Sequence, residues 1–168
     1  MAQILYIVDG YNVLHALFPR VGQADLADRR RWLVDQLSGF AALRGARVCL
    51  VFDAHGKPLP SSTDVSGTPV EVVFAGGRFT ADTLIARRVA ERPPEVTLVV
   101  VSADQEVQRT ATKAGVLRMT PRELAAEIAT LDKKLAISEK SSRIPTTLED
   151  KVDVETWKKL ERLRTEPL

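Results

Sequence analysis

The sequence has few of the features that mark secreted and membrane proteins. Its single cysteine, Cys49, excludes an internal disulfide, and its position in the apolar run Val48 to Phe52 predicts a buried thiol within a strand. No apolar run approaches the roughly 20 residues that a membrane-spanning helix requires. The amino terminus lacks a charged segment followed by an apolar core, so no signal peptide is predicted. We therefore expect a cytoplasmic protein without a membrane partner.

The chain also lacks a strong charge of either sign and several common catalytic motifs. Its 24 basic and 22 acidic residues give a net charge of +2, which neither requires nor excludes a nucleic-acid partner. There is no glycine-rich dinucleotide fingerprint, no Walker-type phosphate loop and no Gly-x-Ser-x-Gly elbow. The second aspartate of an Asp-x-Asp phosphatase is missing, and two histidines are too few for a zinc site. A length of 168 residues and an apolar fraction of 45% fit one compact globular domain.

Four short apolar runs alternate with helical patterns along the chain. The strand-like runs are Ile4 to Val8, Arg47 to Phe52, Val70 to Phe74 and Val96 to Val101. Helical spacing covers Ala24 to Leu43, Ala81 to Ala90, Gln105 to Ala114 and Pro121 to Leu135. This alternation predicts an α/β fold, a three-layer sandwich whose central sheet is mainly parallel. Ser138 to Asp150 is predicted to be an exposed linker and Val152 to Leu163 a last helix, so we expect a main domain over 1–137 and a carboxyl-terminal arm over 138–168.

Aspartates follow three of the four strand-like runs. Asp9, Asp53 and Asp104 stand at these ends, and parallel strands bring their carboxyl ends to one edge of the sheet, where ligands of α/β proteins bind. Asp82, at the start of a helix, is a fourth candidate. Four carboxylates at one edge repel each other unless a cation lies between them, and oxygen-only ligands suit Mg²⁺ or Mn²⁺.

Each of these residues has a purely structural alternative. Asp82 and Asp104 could cap or charge the first turn of a helix, while Asp9 could belong to a turn and Asp53 could simply end a strand. Asn12 could orient water or a phosphate, or it could cap the following helix. The repetition of aspartates at one predicted edge favours a cation site over four independent structural roles.

Five motifs in order carry a resemblance to a known family. They are Asp9-Gly10-Tyr11-Asn12, Val51-Phe52-Asp53-Ala54-His55, Val70-Glu71-Val72-Val73-Phe74, Thr80-Ala81-Asp82 and Ser102-Ala103-Asp104. With these motifs the sequence resembles the NYN-domain proteins of the YacP-like group, which includes a bacterial ribosome-associated endoribonuclease that cuts messenger RNA in the ribosomal A site.

The resemblance implies a PIN-like fold and a metal-dependent ribonuclease. By motif, Asp9, Asp53, Asp82 and Asp104 would form the acidic set, with Asn12 beside it. One position departs from the group's pattern: the residue after Asp82, often acidic in relatives, is Thr83 here. Fewer carboxylates would mean weaker binding of the cation or a different number of cations.

The function predicted from these features is metal-dependent hydrolysis of RNA, with messenger RNA and the ribosome as expected partners. Two alternatives stay open: a ribosome- or RNA-binding factor with a vestigial site, and a phosphatase for small molecules. The arginine run Arg29 to Arg31 is predicted to be a solvated helix face. The expected contacts to the RNA backbone are Arg78 first, followed by Lys57, Arg87, Arg88 and Arg118.

Overall fold

The computed structural model of the chain describes residues 3–18, 26–54 and 61–142. Within these ranges, strands and helices alternate from the amino terminus onward. The elements are β1 (Gln3–Asp9), α1 (Gly10–Leu17), α2 (Leu26–Arg44), β2 (Arg47–Asp53), β3 (Ser61–Asp64), β4 (Val70–Ala75), α3 (Ala81–Ala90), β5 (Val96–Val101), α4 (Gln105–Lys113), β6 (Leu117–Met119) and α5 (Pro121–Ser142).

The strands form one sheet in the order β3-β4-β2-β1-β5-β6. All neighbouring pairs are parallel except β3 with β4, which is antiparallel. The predicted α/β fold with a mainly parallel sheet is therefore confirmed, and all four predicted strands are present. β3 was not predicted from the sequence, because this edge strand is polar and exposed along its whole length. β6 was not predicted either, because its three residues are too few to show a periodicity.

Two apolar cores cover the two faces of the sheet, because successive residues of a strand point to opposite sides. On one face, Tyr6 and Val8 of β1 pack with residues of α1, α2 and the first turns of α5. On the other face, Ile7 packs with residues of α3 and α4. Helices on both faces of a central sheet make the three layers that the sequence predicted.

The last helix corrects one prediction. α5 continues to Ser142, so residues 138–142 are helical and do not belong to a linker. The rest of that predicted linker and the predicted helix from Val152 to Leu163 lie outside the described residues. The chain divides into two compact units, Met1–Leu131 and Asp132–Leu168, and the domain boundary expected after residue 137 stays a prediction. In the described part of the chain, no helix combines the length and apolar character needed to cross a bilayer.

Candidate functional site

The carboxyl edge of the sheet is built around the end of β1. Asp9 is the last residue of β1, which lies between β2 and β5. The strands that follow β1 in the chain are added first on its β2 side, and later ones on its β5 side. The strand order therefore reverses at β1. Crevices for ligands form at such points in open α/β sheets. Asp53 ends β2 and Asp104 follows β5, so the three strand-end aspartates share this edge.

Asp9 is the buried member of the group. Its carboxylate is 8% exposed and accepts hydrogen bonds from the Asn12 backbone N–H (3.3 Å) and the Ser102 hydroxyl (3.5 Å). The pKa of Asp9 is raised to about 6, mainly by burial and also by the negative charges of Asp82 and Asp53, while the two hydrogen bonds act in the opposite direction. The ionised form is therefore destabilised in the absence of a cation.

Asp53 fixes the position of the helix that carries Asp82. The Asp53 Oδ1 accepts a 2.7 Å hydrogen bond from the backbone N–H of Ala81, the first residue of α3. Thr80 caps this helix by accepting from the N–H of Thr83 at 3.2 Å. Asp82 follows Ala81 directly, and its pKa is raised by burial and by the charges of Asp104 and Asp53. Asp82 thus lies close enough to Asp9, Asp53 and Asp104 to interact electrostatically with each of them.

Asp104 caps α4, which is the structural role that the sequence offered as an alternative for this residue. Its Oδ1 accepts from the backbone N–H groups of Glu106 (2.7 Å) and Val107 (3.4 Å). No hydrogen bond to its second oxygen is present among the described residues, so capping leaves that atom available. Asp104 is therefore both a helix cap and a candidate ligand, and the two interpretations are compatible.

Ser102 and Asn12 connect the two loops that carry Asp9 and Asp104. The Ser102 side chain is fully buried; its hydroxyl donates to Asp9 and accepts from the N–H of Asp104 at 3.0 Å. The Asn12 Oδ1 accepts from the N–H of Ala103 at 2.6 Å. From the sequence, Ser102 is expected to hydrogen-bond Asp104 or metal-bound water, and its bond with the Asp104 N–H confirms the first of these roles. Its hydrogen bond to Asp9 was not predicted.

Gly10 explains why a glycine follows Asp9. A Cβ atom built on Gly10 would lie 2.8 Å from Cζ of Phe52 and closer still to two other ring carbons. Phe52 is fully buried beside Asp53 and cannot move aside easily. Only glycine allows the β1–α1 turn to approach the end of β2 this closely.

Of the predicted basic contacts, Arg78 lies nearest in the chain to the aspartate edge. It is exposed in the loop between β4 and α3, two residues before the Thr80 cap, and has no ion-pair partner within the described residues. Arg118 is exposed in the edge strand β6, level with Val100 of β5. Lys57 lies outside the described residues.

The structure does not bring Arg87 and Arg88 to this edge. α3 runs away from it, so Arg88 is six residues, about 9 Å, along the helix from Asp82. Arg88 donates to Glu71 at 2.9 Å, and Arg87 pairs with Glu91 at 2.8 Å. Both guanidinium groups thus have acidic partners at the far end of the helix.

The prediction of a solvated face for Arg29 to Arg31 was wrong for two of the three residues. Arg31 is exposed and pairs with Asp28 at 3.3 Å. Arg30 is half-buried and donates to the Tyr11 hydroxyl at 3.1 Å, with its guanidinium carbon 5.9 Å from the centre of the Phe74 ring. Arg29 lies 4.4 Å from the centre of the Phe18 ring. Successive helical residues point about 100° apart, so three in a row cannot share one face.

The chemistry of the aspartate edge fits a hard cation. Within residues 3–18, 26–54 and 61–142, no three His, Cys, Asp or Glu side chains are arranged to hold an ion directly. The donors at this edge are nevertheless all oxygens, and their mutual repulsion is the energy that a divalent cation would remove. Mg²⁺ keeps several of its waters in proteins, so this more open set fits a hydrated ion better than a closed cage.

Comparison with known proteins gives consistent matches. The family model described as the YacP-like NYN domain matches residues 6–165. The uncharacterized protein YacP of Bacillus subtilis (strain 168) is 28% identical over 137 residues, which cover 78% of each chain. The crystal structure of a point mutant of Rae1 (YacP) from Bacillus subtilis has a TM-score of 0.69 at 28% identity and covers 85% of this chain and 86% of its own. A second structure of Rae1 (YacP) covers 98% and 99% at a TM-score of 0.67 and 26% identity.

The fold, the acidic edge and these matches agree. The family match spans nearly the whole chain and contains all the elements that bring aspartates to the carboxyl edge. The chain therefore belongs to the YacP-like NYN domain family, within the PIN-like nucleases.

Proposed function

We propose that this chain is a divalent-metal-dependent endoribonuclease that hydrolyses phosphodiester bonds of RNA, with messenger RNA on the ribosome as its substrate. One observation carries the proposal: four aspartates from separate loops and strand ends meet at the reversal point of a nuclease-family sheet, where Asp82 interacts electrostatically with the other three. The choice of messenger RNA and of the ribosome rests on the resemblance to the YacP-like group.

Asp9, Asp53, Asp82 and Asp104 are the residues that would hold Mg²⁺ or Mn²⁺, some of them through water. A bound divalent cation lowers the pKa of water and neutralises charge that develops on the phosphate. The raised pKa of Asp9 supports this role, because no cationic side chain of the described residues lies beside the buried carboxylate to stabilise its charge.

The other residues of the edge would orient the substrate. Since the Asn12 oxygen accepts from the N–H of Ala103, its amide NH₂ group is left to donate to a phosphate or to water. Ser102 keeps Asp9 and Asp104 at a fixed separation through its two hydrogen bonds. Arg78, without an ion pair in the described part of the chain, would hold the RNA backbone and offset the repulsion between phosphates and carboxylates.

The test is cleavage of messenger RNA on translating ribosomes, and of the same RNA free in solution, by the wild type and by Asp9→Asn. With Mg²⁺ or Mn²⁺ we expect cleavage by the wild type, loss of about a thousandfold or more for Asp9→Asn, and none in EDTA. The matched control is Asp28→Asn, because the Asp28 side chain is 78% exposed on α2 and should not affect the rate.

Two other results would replace this proposal. If the wild type binds ribosomes and cuts neither substrate, and Asp9→Asn binds equally well, the chain is an RNA- or ribosome-binding factor. If it leaves RNA intact and hydrolyses a small phosphate ester in a reaction that depends on Asp9, it is a phosphatase.

A further inference from the structure

On the α1/α2 side of the aspartate edge lies an aromatic and arginine cluster, formed by Tyr11, Arg29, Arg30, Trp32 and Phe74. Arg30 is half-buried, yet it is held in place by rings and not by an acid. Its guanidinium donates to the Tyr11 hydroxyl at 3.1 Å and faces the Phe74 ring at 5.9 Å. These contacts fix the guanidinium and use only one of its five N–H donors.

The cluster lies directly behind the aspartates. Tyr11 follows Asp9 by two residues, and its ring centre is 4.9 Å from that of Phe52, the residue before Asp53. Phe74 stacks on Phe52 with ring centres 5.7 Å apart. Arg30 therefore lies beside the ends of β1, β2 and β4, one layer of rings away from the carboxylates.

Arg29 and Arg30 have no acidic partner in the part of the chain that the structure describes, whereas the adjacent Arg31 pairs with Asp28. Elsewhere in those residues five arginines pair with acids, namely Arg31 with Asp28, Arg44 with Glu127, Arg87 with Glu91, Arg88 with Glu71 and Arg109 with Glu106. A guanidinium that is held rigid but not neutralised is suited to bind an anion from outside, and its planar donors match a phosphate.

Exposed aromatic area continues the same surface. Arg29 lies over the Phe18 ring at 4.4 Å, and Phe18 packs edge-on against Trp32 with ring centres 4.9 Å apart. Trp32 is 37% exposed, which is unusual for so large an apolar side chain. Fixed cations interleaved with an exposed ring form the kind of surface on which single-stranded nucleic acids bind, through phosphate contacts and base stacking.

We propose that Arg30, held by Tyr11, binds a backbone phosphate of the RNA strand as it leaves the aspartate edge on the α1/α2 side. Arg29 contacts the next part of the backbone, and Trp32 stacks on a base. This inference rests on the proposed function, because it assigns the path of the RNA at the same site. It adds a positive contact that the acidic edge itself does not provide.

The experiment measures binding of a fluorescently labelled single-stranded RNA to the full-length Asp9→Asn protein over a series of salt concentrations. In that background we compare Arg30→Gln with Arg31→Gln, which removes the adjacent, 76% exposed arginine. We expect Arg30→Gln to weaken binding about tenfold at low salt and to lower the salt slope by about one, and Arg31→Gln to change neither measurably. Trp32→Ala should weaken binding about tenfold without changing the slope.

Arg30→Lys separates binding from folding. It keeps the charge and loses the planar fork, so we expect it to restore the salt slope and only part of the affinity. Equal binding by Arg30→Gln and Arg31→Gln at every salt concentration would overturn the inference, and so would failure of the Asp9→Asn protein to bind RNA at all. If Arg30→Gln weakens binding while the protein with Asp9 intact cuts no RNA, the nuclease proposal fails and this RNA path stands.

Discussion

The two ends of the sheet surround their acids with charges of opposite sign. At the amino end, Glu71 of β4 accepts from Arg88 at 2.9 Å and from the Ser62 hydroxyl at 2.6 Å. Burial alone would raise the pKa of Glu71, but these hydrogen bonds and the charge of Arg88 lower it. At the carboxyl end, burial raises the pKa of Asp9 and Asp82, and the nearest charges are other aspartates that raise it further.

The difference distinguishes a structural acid from one prepared for an external cation. Glu71 has its cation within the chain, so its ionised form is already stable. Asp9 accepts two hydrogen bonds, but no basic neighbour among the described residues lowers its pKa, so its ionised form stays less stable than that of a free carboxylate unless a positive charge comes from outside. Both acids lie on buried strands, so the location of an acid on a strand does not by itself indicate its role.

The largest expected effect that separates the two ends is on stability without metal. In EDTA at pH 7.5, Asp9→Asn should raise the free energy of unfolding by about 1 to 3 kcal/mol, measured by urea denaturation. The upper figure follows from the rise of the Asp9 pKa from 3.8 to about 6, equivalent to about 3 kcal/mol. The lower figure allows for a weaker hydrogen bond from Ser102 to an amide.

The pH dependence gives this prediction its control. The unfolded carboxyl loses its proton near pH 3.8 and the folded one near pH 6, so metal-free wild type loses stability as the pH rises between these values. The advantage of Asp9→Asn should therefore be nearly absent at pH 4 and complete above pH 6. Glu71→Gln should do the reverse, because a lowered pKa stabilises the fold at neutral pH and that contribution disappears on acidification. If Asp9→Asn raises the free energy of unfolding equally at pH 4 and pH 7.5, the gain does not come from the raised pKa of Asp9.

A smaller effect is expected at the amino end. Arg88→Met should lower the free energy of unfolding by about 1 to 2 kcal/mol, because it leaves the carboxylate of Glu71, whose side chain is 16% exposed, without its cation. Arg87→Met is the matched control one residue away. Its pair with Glu91 is about 60% exposed on both sides and should contribute less than about 0.5 kcal/mol.

The same two variants test the RNA contacts that the sequence predicts for these arginines. If Arg88 acts only through Glu71, the RNA affinity of Arg88→Met should equal that of Arg87→Met and of the wild type. A loss of RNA affinity for either variant, with the fold intact by circular dichroism, would return that arginine to the substrate-binding surface.

The fold was largely predictable because its signals are local. Apolar runs and helical spacing placed β2, β5 and α3 within a residue of their observed bounds, and parallel topology then brought Asp9, Asp53 and Asp104 to one edge. The exposed strand β3 and the three-residue β6 carry no such periodicity. The helix α5 continues to Ser142, beyond the last residue of its apolar spacing, Leu135. Edges and ends of elements are set by tertiary contacts that the local pattern does not contain.

The network around the site was harder to predict for the same reason. That Ser102 would also hydrogen-bond Asp9, or that Arg30 would reach Tyr11 across 19 positions, depends on side-chain directions in the folded chain. The sequence showed that arginines were present at 29 to 31 and at 87 and 88. It could not show which of them would be neutralised by an acid and which would be held against aromatic rings.

The smallest effect concerns Thr83, where the resemblance to the YacP-like group leads us to expect an acid. Its hydroxyl lies 2.8 Å from that of Thr80, so the side chain takes part in capping α3 and is directed to the cap. Thr83→Glu adds a fifth carboxylate beside Asp82, and calorimetry should show Mn²⁺ binding about two- to fivefold more tightly, the range of about 0.5–1 kcal/mol typical of exposed charge interactions.

Thr83→Gln is the matched control, because glutamine has the same size as glutamate. Both substitutions remove the threonine hydroxyl, but only Thr83→Glu adds a charge. If both variants bind Mn²⁺ with equal affinity, position 83 does not face the cation, and the departure from the family pattern at this position has no bearing on catalysis. If only Thr83→Glu gains affinity, the wild-type edge binds its cation less tightly than an edge with an acid at this position. A more tightly bound cation would then neutralise the charge of the aspartates more fully, as Arg88 neutralises the charge of Glu71.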